Sequence, residues 1–176
     1  MNKSWYKLIE GHLPINQGDI IDGCPVVIPP SEFLNLELSL GDRFQAKVEE
    51  YNVIVISHSC DLEHKKLKIV QVCPVYPLTE VRKNPKFIEG KDVEDLRRGN
   101  RPGYHLLDQC IIPDYTCDYL VVEFCNTFGV SFDFLSDYVK DKNRIRLLSP
   151  YREHLSQAFA RFFMRVALPS DIPKFS

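Results

Sequence analysis

The chain lacks the cysteine spacings that mark a zinc ribbon or a thioredoxin-like pair. Its six cysteines stand at positions 24, 60, 73, 110, 117 and 125, a pattern that reads as reduced thiols in a cytosolic protein. Three of them, Cys60, Cys73 and Cys125, fall inside or at the ends of apolar runs, where a thiol serves as a small hydrophobe. No stretch of about 18 apolar residues occurs and no apolar leader region follows Met1, so neither a membrane span nor secretion is expected and the expected location is cytoplasmic. A basic balance is absent too. With 22 Lys and Arg against 24 Asp and Glu, the formal net charge is -2, which excludes the global signature of a dedicated nucleic-acid binder. Nor is there an internal repeat. At 176 residues and 44% hydrophobic, the chain suits one domain that buries about 70% of the surface its unfolded form exposes.

What is present begins with Val53-Ile54-Val55-Ile56-Ser57-His58-Ser59-Cys60-Asp61. Val and Ile are stiff at the first side-chain torsion and suit a pleated surface, so an unbroken run of them predicts a strand buried on both faces. At its exit stand His58, Cys60, Asp61 and, a few residues on, His64. All four side chains are of types that ligate zinc. Cys60 beside His58 also has the ingredients of an activated nucleophile, with Asp61 or a remote His154 in reserve. The competing reading is a polar turn that needs no metal and does no chemistry, and no cofactor is expected on it.

Around this run, Trp5, Leu8 and Ile9 are spaced as one side of a short helix over residues 1–12, ended by Gly11. Residues 18–21 and 24–28 are short strands broken by Asp22-Gly23 and closed by Pro29-Pro30. Residues 43–50 alternate as a half-exposed strand, and Tyr51-Asn52 turns into the buried run. Ile69-Val70-Gln71-Val72-Cys73 then pairs back on it, making a hairpin whose tip holds His58, Cys60, Asp61 and His64. Residues 79–103 read as a charged insertion with a helix near 93–98. Between Lys65 and Arg101 there are ten Lys and Arg against five Asp and Glu, which leaves the rest of the chain near -7. Within it Arg82, Lys83, Arg97, Arg98 and Arg101 are candidate partner contacts, although a solvated face has the same composition. Strand character resumes over 104–148, with a turn at Asp114-Tyr115-Thr116. Ser149-Pro150 then opens a helix over 149–167 as a capping hydroxyl and a preorganised first turn. Tyr151, Leu155, Ala158, Phe159, Phe162 and Val166 share its apolar face, and Pro169 and Pro173 end regular structure.

Three strings in this order, Gly18-Asp19-Ile20-Ile21, Val53-Ile54-Val55-Ile56-Ser57 and Val70-Gln71-Val72-Cys73-Pro74, resemble the PemK/MazF toxin family. The likeness covers about residues 13–78. It implies an α+β, mainly β fold: a small antiparallel barrel, here with a charged insertion and a C-terminal amphipathic helix. Ribonucleases of that family rely on an Arg before the Val-rich strand and a Thr or Ser after the later Pro. Tyr51-Asn52 and Val75-Tyr76 occupy those places. Without those groups, cleavage loses its main electrostatic and acid-base contributions, so the resemblance implies the barrel more than the enzyme. The expectation is therefore a non-catalytic protein that binds another macromolecule, with protein favoured over RNA. By analogy it would be an accessory of a bacterial toxin-antitoxin, phage-defence or CRISPR-type system. The alternatives are a divergent endoribonuclease, with Arg97, Arg98 and Arg101 folded over the tip, and a zinc- or Cys-dependent site at His58, Cys60 and Asp61.

Overall fold

The β-branched runs become strands that carry the helices on their faces, as a computed structural model describes for residues 4–29, 45–84 and 92–164. Among these residues the strands are β1 (Tyr6–Ile9), β2 (Asp19–Ile28), β3 (Lys47–Val55), β4 (Ile69–Pro77), β5 (Tyr104–Leu107), β6 (Leu120–Glu123), β7 (Phe128–Ser131) and β8 (Arg144–Leu147). The helices are α1 (Ser59–Glu63), α2 (Leu78–Lys83), α3 (Asp92–Arg97), α4 (Phe132–Val139) and α5 (Tyr151–Phe163). Every ladder is antiparallel, in the order β1-β8-β2-β3-β4-β6-β5, with β7 also on β4. The fold is α+β, mainly β. Its strand order is open, and among the described residues no ladder joins β1 to β5. No helix among them is long and apolar enough to cross a membrane.

β3 and β4 form the centre because the end of β3 and the middle of β4 are apolar on both faces. Val53, Ile54 and Val55 pair with Pro74, Cys73 and Val72, and all three β3 residues are fully buried. Alternation sends Val53 and Val55 into one core with Val70, Val72, Leu135 and Val139. Ile54 goes to the opposite core with Cys73, Val75, Leu107, Phe124, Leu147 and Leu155. Burying each such aliphatic side chain contributes roughly 1.5–3 kcal/mol. A third, smaller cluster joins Leu78, Val81 and Leu96 to Val121.

An ion cluster buried at the other end of the sheet fixes the loop before β2. Asp19 accepts hydrogen bonds from Arg144 Nε at 2.7 Å, from Arg146 Nη2 at 2.9 Å, from Arg146 Nε, and from the Asn16 backbone N–H at 3.0 Å. Arg144 and Arg146 also donate through Nη2 to the carbonyls of the loop, Leu13 and Pro14 from the first and Pro14 from the second. Gly18 (φ +81°) closes this loop in the left-handed region, where a Cβ would come within 3.0 Å of the Leu147 side chain.

Four expectations need correction. Residues 6–9 are not a helix but the edge strand β1, with Tyr6 paired to Leu147. Tyr6 and Ile9 are buried, Leu8 is 42% exposed, and Trp5 stacks on Tyr151 at 3.8 Å. So short a segment cannot nucleate a helix by itself, whereas β8 offers it a ladder. Residues 19–28 are one strand, not two, because a bulge between Ile21 and Cys24 absorbs Asp22-Gly23. Tyr51-Asn52 is not a turn: β3 runs straight through it, and the Asn52 side-chain Oδ1 accepts from the Gly23 N–H at 2.9 Å. Finally, α5 begins at Tyr151, with Pro150 and not Ser149 at its N-cap position and no side-chain cap there. Residues 30, 43, 44 and 165–176, including Val166, Pro169 and Pro173, lie outside the described residues.

Candidate functional site

The exit of β3 does open onto a cleft. Past Val55, the backbone N–H groups of Ile56 and Ser57 still donate to the Gln71 carbonyl, at 2.9 and 3.3 Å. The Ser57 hydroxyl in turn accepts from the Gln71 N–H at 2.8 Å. Ser57 is thus spent on prolonging the ladder and is only 7% exposed. His58 then precedes the single turn of α1, which Leu62 pins to the core. The antiparallel hairpin expected from the sequence is present, and its connecting loop contains a short helix.

A cavity of about 460 Å³ lies between this exit and α5, lined by Gln17, Ser57, His58, Asp61, Gln71 and Phe159 among others. Gln17 is buried and its side-chain N–H donates to the Ile56 carbonyl at 2.8 Å. The loop held by the Asp19 cluster therefore forms one wall, and Phe159 of α5, edge-on to Phe124 at 5.3 Å, forms another. Asp61 also faces Lys66 at 3.8 Å.

Of the four candidates from the sequence, the cleft gathers two. His58 and Asp61 line it, whereas Cys60 and His64 are exposed and do not. Among the described residues no three His, Cys, Asp or Glu side chains converge as a metal site would require. Burial pushes the Cys24 and Cys73 thiols up to about 11, and Cys117 likewise through burial and its neighbour Cys110. Such thiols are poor nucleophiles at neutral pH.

The basic candidates stand elsewhere. Arg97 lines a separate cavity and Arg101 another, and neither, nor Arg98, borders the His58 cleft. The arrangement a ribonuclease reading requires, an insertion folded over the tip, is not what brings these residues together. Arg97 donates to Glu94 through Nε at 2.8 Å and Nη2 at 2.6 Å, and Arg98 Nε donates to the same carboxylate at 2.9 Å. Arg82 and Lys83 sit exposed in the last turn of α2. Against the cost of desolvation, hydrogen bonds from the Thr79 and Tyr119 backbone and the Thr79 side chain, with the Arg82 charge last, hold the nearby Asp118 carboxyl below its usual range.

Sequence reasoning missed Gln17 and Gln71 in the cleft, because an amide carries no spacing signal. It also missed Arg144 and Arg146, which alternate with Ile145 as solvent-facing strand residues ordinarily do. In comparison with known proteins, no protein family, no curated protein and no solved structure matches this chain.

Proposed function

We propose that the chain is a non-catalytic binding protein whose partner is another protein, docked on the charged face of α2 and α3. One observation carries this reading. Leu78, Val81 and Leu96, the apolar side chains these two helices spend inward, form a small core on Val121 of β6. Glu80, Arg82, Lys83, Glu94, Arg97 and Arg98 are left facing solvent on a fixed support.

The signs on that face are mixed, and Glu94 orients both Arg97 and Arg98. A polyanion meets a carboxylate between the two arginines, whereas a protein surface of alternating sign can complement both charges. The PemK/MazF-like barrel, and service beside a bacterial toxin-antitoxin, phage-defence or CRISPR-type system, belong to the same proposal. Supporting that part is the adjacency of β2, β3 and β4, which hold the three strings on which the resemblance rests.

The test is copurification of the tagged chain expressed with its neighbouring genes, followed by mass spectrometry. A salt-sensitive protein partner is expected, and Arg97→Glu with Arg98→Glu should strip it without moving the unfolding midpoint. Retention of the partner by the double variant, or recovery of RNA alone, overturns the proposal.

A further inference from the structure

Cys110 and Cys117 stand directly opposite each other in an isolated antiparallel bridge that follows β5. The Cys110 N–H donates to the Cys117 carbonyl at 3.1 Å, and the Cys117 N–H donates back to the Cys110 carbonyl at 2.9 Å. Residues that exchange both backbone bonds have Cα atoms about 5.5 Å apart and side chains on the same face. That separation falls within the span of about 4.4–6.8 Å that a disulfide bridges. Because the bridge lies outside the named strands, the two sulfurs can draw together without disturbing a ladder.

Three further observations place the thiols together. Both side chains join the core cluster that contains Tyr6, Cys110 at 1% exposure and Cys117 half-buried. The Tyr6 hydroxyl, which donates to the Asp108 carbonyl at 2.6 Å, is raised by burial first and then by the Cys117 and Cys110 thiols, so both sulfurs converge on one phenol. The turn between them is also fixed. Its Tyr115 N–H donates to the Ile112 carbonyl at 3.0 Å, the Thr116 hydroxyl donates to the same carbonyl at 3.4 Å, and Asp114 takes up the left-handed conformation (φ +65°) that closes it. The other cysteines have different surroundings: Cys24 lies in the opposite core, Cys73 meets the Thr127 hydroxyl at 3.4 Å, and Cys60 and Cys125 are exposed.

We propose that Cys110 and Cys117 form an intramolecular disulfide when the protein meets a peroxide, tethering the Asp114 turn beside Tyr6. Cys117 reacts first, because it borders a cavity of about 270 Å³ with Asp22, Asn52 and Tyr115, whereas Cys110 does not. Its sulfur attacks one oxygen of hydrogen peroxide: an S–O bond forms, the O–O bond breaks, and the departing hydroxide leaves as water with the thiol proton. Cys110 then attacks the Cys117 sulfur. The S–S bond forms, the S–O bond breaks, and the second hydroxide leaves as water with the Cys110 proton. Two thiols and one peroxide thus give one disulfide and two waters. Burial, against a hydrogen bond with the Cys110 backbone, holds the Cys117 thiol up at about 11, so its thiolate is scarce at pH 7 and the first step quickens as pH rises.

The experiment uses the full chain with Cys60→Ser and Cys125→Ser, which removes the two exposed thiols and leaves four of the six. It is treated with hydrogen peroxide at mildly alkaline pH, alkylated, and digested without reductant. Alkylatable thiols should fall from four to two, and cleavage after Tyr115 should leave the pieces holding Cys110 and Cys117 joined until a dithiol is added. The linked form should unfold at a temperature higher by roughly 5 °C, and adding Cys117→Ser should abolish both the link and the rise. Thiols at Cys110 and Cys117 that stay alkylatable, a link between other cysteines, or a linked protein whose midpoint does not move overturns the proposal.

Discussion

Twice among the described residues one carboxylate is held by two arginines, and the two clusters differ in burial. In the Asp19–Arg144–Arg146 cluster the acid is fully buried and the arginine side chains are 2% and 12% exposed. In the Glu94–Arg97–Arg98 cluster the side chains are 50%, 64% and 61% exposed. The chemistry is the same but the consequence is opposite. Inside, every charge has been stripped of water and must be answered by the protein, so the cluster fixes which strands meet. Outside, water and salt do most of the work. The cluster there leaves its charge at the surface and adds little to folding.

The sharpest way to break this contrast is to remove the buried acid. Asp19→Asn should destabilise the domain by about 3–5 kcal/mol, because it leaves buried arginine charge uncompensated. Replacing the whole cluster, Asp19→Leu with Arg144→Met and Arg146→Met, should cost less than the single change. Urea unfolding monitors both, and a single variant that unfolds like the parent would show that the buried cluster is not a constraint. A smaller loss, about 2 kcal/mol, is expected for Leu96→Ala, which hollows the minor core beneath the exposed cluster. Hydrogen exchange should then rise in α3 first, and uniform exchange across the chain would deny that α3 is a separately anchored layer.

The smallest effect belongs to Glu94→Gln, which should leave the unfolding midpoint unchanged at neutral pH. Hydrogen bonds from Arg97 and Arg98 push the Glu94 carboxyl down to about 2. Because the shift is downward, whatever stability it carries is present above its ordinary value of 4.5 and is lost as pH falls through about 2. A clear neutral-pH loss of stability would place the two clusters in the same class.

Much of the sheet was legible because apolar runs announce themselves locally. The antiparallel match of the Val53 and Val70 runs, the helix at 93–97, the strand around Ile145 and the apolar face of α5 all follow from patterns within a few residues. β1 did not, since Tyr6 and Ile9 take their burial from β8, whose partner residues lie far away in sequence. The same holds for Asp19, whose role depends on Arg144 and Arg146. At the site, His58 and Asp61 were found because they follow a strand that had to end somewhere. Cys60 and His64 were grouped with them by proximity in sequence, and a single helical turn was enough to send their side chains elsewhere.

The position of β8 has a consequence for how the chain is made. β8 lies between β1 and β2, pairing with both, yet it is translated more than a hundred residues later. A nascent chain on the ribosome therefore holds two unpaired strand edges until Arg144 to Leu147 emerge. The early strands must wait, and the arrival of the two arginines that meet Asp19 is the step that seals them. Synthesis that stalls before residue 144 should release a product that is cleared or aggregates, not a smaller working protein.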